Sequence, residues 1–252
     1  MFKTIVYFDK ERVAQYAALL KNEKNMQLKN VKIRDHKTIG GKVPVIHGEH
    51  EKYEEYAGEI LENNLSDCDE FEKLLEKRME GDYFDFTEQD YDFETLPRSS
   101  IIKFESSIEI PEGFDMMHII NDFRPQIIAA IAEIENKDII TSILGKKTTK
   151  IPINFIIKNE KNILGFSKIN SNNLCVDIET IEEGEYDSAI VIAKFKSKKR
   201  VEGEEVVFDV MKDLFSMNRA LRKQSGNAKI EGMENIIIAK DYFSLEILAI
   251  YE

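Results

Sequence analysis

His47 and His50, in the segment HGEH, put two imidazoles three residues apart with the Glu49 carboxylate between them. Given a third ligand from elsewhere, that spacing can chelate a metal. It does not complete HExxH, and an exposed polar loop ahead of a helix accounts for the same residues. His118, in MMHII, has apolar neighbours and reads as a packed side chain, and His36 stands alone. Of the two cysteines, Cys68 lies among Asp67, Asp69 and Glu70, whose charge disfavours a thiolate. Cys175, in LCVDI, has the setting of a thiol packed as a small hydrophobe. GxSxG is absent. Gly40-Gly41-Lys42 and Gly145-Lys146-Lys147 pair glycine with lysine without completing a phosphate-binding loop. A nuclease built on an Asp followed by an ExK pair would use Asp187 with Lys194 and Lys196, but Ile192 or Ala193 stands where its Glu belongs. No cofactor is implied.

Charge, rather than catalysis, gives this chain its distinctive segments. Glu80 to Glu94 reads EGDYFDFTEQDYDFE, with seven carboxylates, five rings and neither Lys nor Arg. Self-repulsion opposes its close packing without cations, yet the rings are too apolar for a purely solvated tail. Tyr83, Phe84, Asp85, Phe86, Asp90, Tyr91, Asp92 and Phe93 are therefore the expected partner-binding residues. A basic patch is expected from Lys194, Lys196, Lys198, Lys199 and Arg200 on one strand and its turn, with Arg219, Arg222 and Lys223 ending a following helix. Dipole complementation at the helix end and protection of an edge strand are the structural explanation of the same cations. The acidic segment could dock on this patch, within one chain or between two, or on another protein.

The bulk composition narrows the classes. With 252 residues, 42% hydrophobic, the chain can bury a core as one large domain or two small ones. A net charge of −12 disfavours generic DNA binding. Two distant cysteines indicate neither a disulfide framework nor a zinc ribbon and suit a reducing cytosol. No apolar run approaches the ~18 residues of a membrane span, so a cytoplasmic protein is expected.

The elements that must position these residues follow from periodicity. Phe2 to Phe8 reads as a strand, Asp9 as an N-cap, and Val13, Tyr16, Ala17 and Leu20 as one helical face. Residues 25 to 47 read as short strands around Gly40-Gly41. Two helices are expected over 51 to 80, parted by cap and turn chemistry at Ser66-Asp67-Cys68-Asp69. Arg98 to Ile110 alternates as a strand, Phe114 to Asn136 is helical with a kink at Pro125, and Ile151 to Lys158 with Ile163 to Lys168 form a hairpin. Strands are also expected at Leu174 to Ile178 and Ala189 to Phe195, an amphipathic helix from Val207 to Lys223, and one or two strands from Ile236 to Tyr251, broken near Lys240-Asp241.

Because strands do not alternate regularly with helices, the expected class is α+β, a mainly antiparallel sheet packed with helices and a helix-rich N-terminal part. The expected division is 1–97, with fourteen basic against twenty-two acidic residues, and 98–252, with twenty-one against twenty-five. A single fused domain remains open, since Phe2 to Phe8 could join the later sheet. The opening TIVYFD, the segment FDVMKDLFSMNRALRK and the closing AIYE resemble an uncharacterised bacterial family of soluble proteins with no assigned function. The resemblance covers the ends of the chain, implies a compact bacterial or phage-associated protein, and carries over no catalytic residue. The resulting expectation is a non-catalytic cytoplasmic binding or regulatory protein, in one reading linked to phage conflict, whose partner is another protein or a second copy of itself. Alternatives are a metal-dependent phosphodiesterase or nuclease with dispersed carboxylates, and an acidic mimic of nucleic acid.

Overall fold

A computed structural model of the chain describes residues 3–21, 64–77, 81–111, 114, 150–157, 163–182, 186–209, 212–213 and 235–252. Strand β1 (Ile5–Phe8) is apolar throughout, and all four residues are buried. Asp9 ends it and accepts from the Arg12 backbone N–H at 3.1 Å, capping helix α1 (Lys10–Leu20). A second helix, α2, spans 64–77. Its residues Cys68, Phe71 and Leu75, spaced three and four apart, are fully or almost fully buried. Residues 66–69 therefore lie inside a helix rather than in a turn between two, because the apolar stripe through Cys68 outweighs the local preference of Ser66 and Asp67 for caps.

The other elements are mostly strands: β2 (Tyr83–Asp85), β3 (Ile101–Glu109), β4 (Lys150–Ile157), β5 (Ile163–Asn170), β6 (Ala189–Lys199), β7 (Glu205–Phe208), β8 (Ile236–Ile238) and β9 (Tyr242–Tyr251), with a short helix α3 (Ile178–Glu182) before β6. Their pairing closes a ring. β3 pairs antiparallel with β4 and β4 with β5; β5 pairs parallel with β9, β9 antiparallel with β6, and β6 antiparallel with β3. The result is a five-stranded mixed barrel. It corrects the expectation of an α+β fold with a mainly antiparallel sheet and a helix-rich N-terminal part. The seam that closes the barrel is parallel and only two pairs long, Gly165 with Phe243 and Phe166 with Ser244. Alternation of apolar residues reads the same for either strand direction, so no local pattern announces it.

Two irregularities shape the barrel. Ile192 pairs with Ala249 and Ala193 with Ile247, leaving Leu248 as an extra residue in β9. At that bulge the Leu248 carbonyl accepts from the Asp9 N–H at 2.9 Å, and β9 takes β1 as a neighbour at Ala249 to Tyr251 in place of β5. In β6 the extra residue is Lys196, between Phe195 opposite Leu245 and Ser197 opposite Ser244. β2 adds to β3 in parallel, so residues on both sides of position 97 share one sheet.

The core has two parts. One contains Phe104, Phe155, Val191, Ala193, Phe195, Leu245 and Ile247, and the other, beside α1 and α2, contains Ile5, Phe8, Phe71, Leu75, Ile192 and Leu248. Successive residues of β6 thus enter different clusters, which explains its unbroken apolar run. β7 and β8 form a separate antiparallel ribbon. Leu174, in the expected strand Leu174 to Ile178, makes only an isolated bridge to Tyr7. Val207 and Phe208, expected to open the helix that ends at Lys223, instead end strand β7; most of the rest of that helix, the expected strands of residues 25–47 and the kinked helix after Phe114 lie outside the described residues. Among the described residues no helix is long and apolar enough to cross a membrane.

Candidate binding cleft

The acidic aromatic segment is folded against one mouth of the barrel, where β3, β5 and β9 begin and β4 and β6 end. Gly81, with φ +88°, makes the turn that a side chain would resist. Tyr83 to Asp85 then join β3, and the Phe86 N–H continues the pairing onto the Lys103 carbonyl at 2.8 Å. Asp85 turns the chain by accepting from the Thr87 N–H at 2.9 Å and its hydroxyl at 2.5 Å. Asp92 does the same for Glu94, opening a single 3₁₀ turn, Phe93–Thr95. These local bonds satisfy backbone donors that a three-residue strand leaves over.

The rings make a continuous stack into the barrel. Tyr91 meets Phe84 and Phe86 edge-on at 5.2 and 5.5 Å, Phe86 stacks on Phe93 at 3.8 Å, and Phe93 stacks on Phe243 at 5.6 Å. Phe243 in turn meets Phe195 at 5.5 Å. Phe93 is only 4% exposed and belongs to the core; Tyr83, Phe84, Phe86 and Tyr91 are half-buried. Burial of these rings offsets the repulsion between the carboxylates, which point outward.

One carboxylate is different. Asp85 is buried, 3.1 Å from Lys103 Nζ, and Lys103 also reaches Glu72 on α2 at 3.3 Å. Glu72 receives Lys3 at 2.7 Å, and Lys3 bonds Asp69 at 2.8 Å. The chain Asp85–Lys103–Glu72–Lys3–Asp69 ties the acidic segment to α2 and to the start of β1. Burial opposes the Asp85 charge, but hydrogen bonds from Thr87 and then Lys103 outweigh it and hold the carboxyl below the usual range. Burial likewise opposes the Lys103 charge, and Glu72 and Asp85 still keep that lysine above its ordinary value. The Tyr83 and Tyr251 hydroxyls are pushed far up by burial and by the neighbouring Asp85 and Glu72 carboxylates.

Residues 82–94 thus form a strap across the mouth, and between the strap and the strand ends lies a cleft of about 780 Å³. Phe86, Phe104, Ile163, Leu164 and Phe243 give it an apolar floor; Asp90, Asp92, Glu94, Glu105 and Asp241 face it alongside Lys198 and Lys240. Glu94 is paired with Lys198, and Asp241 accepts from the Val201 N–H at 2.9 Å. Asp82, Glu88 and Asp90 are exposed and have no ion-pair partner among the described residues.

The expected basic residues on β6 are distributed among carboxylates and a phenol. Lys194 donates to the Tyr16 hydroxyl at 3.0 Å, which donates to Glu246 at 3.3 Å. Lys196, placed by its bulge, reaches Glu246 at 3.4 Å, and Lys198 holds Glu94. Lys199 and Arg200 are exposed. Arg219, Arg222, Lys223, His47 and His50 lie outside the described residues. Glu246 also takes Arg12 at 2.6 Å, and burial, which opposes its charge, is outweighed by Arg12 and Lys196, so its carboxyl sits below the ordinary value. Arg12, Tyr16, Lys196 and Glu246 line a second, polar cleft of about 690 Å³ beside the β5–β9 seam.

Among the described residues no three His, Cys, Asp or Glu side chains gather as a metal ion would need. Cys68 is fully buried, and burial followed by the Glu72 charge pushes its thiol up to about 12. The sequence reading missed Lys3, Glu72 and Lys103, whose side chains hold the strap. Their only signal was a lysine at a polar position of the alternating strand β3, between Ile102 and Phe104, and a glutamate on the buried side of α2. No family model matches the chain, and neither a curated protein nor a solved structure does.

Proposed function

We propose that this protein is a non-catalytic binding protein that receives part of another protein at the barrel mouth framed by residues 82–94. The observation that carries the reading is the division of labour within that segment. Phe93 and Asp85 are built into the fold, while Tyr91 is half-exposed and Asp90 exposed beside an open cleft with an apolar floor. A strap needed only to close the barrel would require the buried rings alone. Barrel mouths with an apolar interior and a few polar rim groups are common sites of ligand recognition.

The test compares proteins that copurify with the wild-type chain, Tyr91→Ala and Asp90→Lys, identified by mass spectrometry and quantified against total recovered chain. Asp90 is exposed and Tyr91 half-exposed, with neither in a strand, so both variants should keep the far-ultraviolet circular dichroism of the parent. Loss of the same partner from both supports the reading. A partner set unchanged in either variant overturns it.

A further inference from the structure

We infer, on the reading that the barrel mouth is the binding site, that its occupant is an extended peptide segment of the partner in which Lys or Arg side chains alternate with apolar ones. The cleft supplies two surfaces of different chemistry. Its floor contains Phe104 and Phe243, both at most 3% exposed, at the depth where an inserted apolar side chain would lose its water. Among the described residues around the cleft, five carboxylates face two lysines; Lys198 is already paired with Glu94, and Glu105 accepts from the Ser188 hydroxyl. An extended chain sends successive side chains to opposite faces, so alternate residues can meet the floor while those between them meet the carboxylates.

The charge decides which occupant fits. A phosphate-bearing or carboxylate-rich ligand would meet the unpaired Asp90 and the Asp241 carboxylate at the entrance. A wholly apolar ligand would use the floor but leave those carboxylates facing it without a counter-charge. An arginine or lysine side chain answers both, and the exposed side of Tyr91 next to Asp90 offers it a ring as well as a charge.

Three fluorescein-labelled hexapeptides test the inference by fluorescence polarisation on the full chain. Each carries Leu at alternate positions and Arg, Gln or Glu at the others. The Arg peptide should bind at least about tenfold more tightly than the Gln peptide and the Glu peptide least. Its affinity should fall several-fold on raising salt from about 50 to about 300 mM, because the attraction crosses an aqueous rim. Asp90→Lys should weaken the Arg peptide about tenfold, whereas Glu109→Lys, the same charge change outside the cleft, should not. Equal response to the two reversals overturns the inference, as does binding to none of the peptides. Equal binding of the Gln and Arg peptides, both weakened by Tyr91→Ala, would leave the cleft as the site and remove its preference for cations.

Discussion

Lys103 and Asp85 stand directly opposite each other in the parallel pair of β2 and β3, and their side chains join at 3.1 Å with both almost buried. One lysine thereby supports the strand pairing and, through Glu72, the seating of α2. Lys103→Met keeps the length and apolar stem of the side chain but leaves Asp85 without its cation and Glu72 with Lys3 alone. Breaking a buried pair from one side costs about 3 kcal/mol, mostly as uncompensated charge. Urea unfolding should show that loss as a lower midpoint, and a midpoint unchanged within error would show that the network is not structural.

Acid should release the same strap. Asp85 is held below its ordinary value in the folded chain, as are Asp213, through Lys168, and Glu246, through Arg12. A depressed carboxyl contributes stability fully above its unfolded pKa, about 4, and loses that contribution as pH falls towards the folded value. Lys103 is raised, so its contribution is complete below about 10.5 and does not alter this window. The urea midpoint should be level near neutrality and drop below about pH 5. Asp85→Asn should be less stable than the parent at pH 7, with the gap narrowing by pH 3. A gap that stays constant across that range would mean Asp85 is not depressed.

The parts of this fold that were legible in the sequence are those set by neighbours in the chain. Asp9 as a cap, the hairpin of β4 and β5, and the break at Lys240-Asp241 all follow from local patterns. Closure was not legible, because it depends on a two-pair parallel seam at Gly165 and Phe166 and on bulges at Leu248 and Lys196. An extra residue in one strand leaves apolar composition intact while moving side chains to the other face. The acidic segment shows the same limit. Its five rings announced a need for burial, but that Phe93 would meet Phe243, 150 positions later, is a property of the closed barrel. Its cation, Lys103, is eighteen residues away from Asp85 and is one of several polar residues of β3, with Glu105, Ser107 and Glu109 on the same side of the alternation.

The two cysteines should differ in reactivity for a reason unrelated to catalysis. Cys68 has no exposed surface, and burial together with the Glu72 carboxylate puts its thiol near 12; Cys175 is half-buried and raised mainly by burial. Alkylation needs a thiolate within reach of the reagent. With iodoacetamide at pH 7.5 and peptide mapping, Cys175 should be labelled first, Cys68 only at the rate of unfolding, and both rapidly in urea. Early labelling of Cys68 would mean that α2 opens locally.

Gly165 lies at the parallel seam where β5 meets β9 and the barrel closes. A Cβ built there would lie 2.9 Å from Leu245 Cδ1 on β9 and 3.2 Å from Phe155 Cβ on β4, so the Leu245 side chain would have to move and Phe155 to give by a few tenths of an ångström. The backbone is not in the left-handed region, and the constraint is therefore space alone. Gly165→Ala should cost about 1–3 kcal/mol, the range of an overpacked core, although alanine also lowers the entropy of the unfolded chain and offsets part of that. Trimming the flexible neighbour should recover some of the loss: in the double variant with Leu245→Val, the two effects should be less than additive by about 0.5–1 kcal/mol. Recovery should be partial, because the Phe155 contact is untouched. A strictly additive cycle measured by urea unfolding would show that Leu245 does not set the width of the seam.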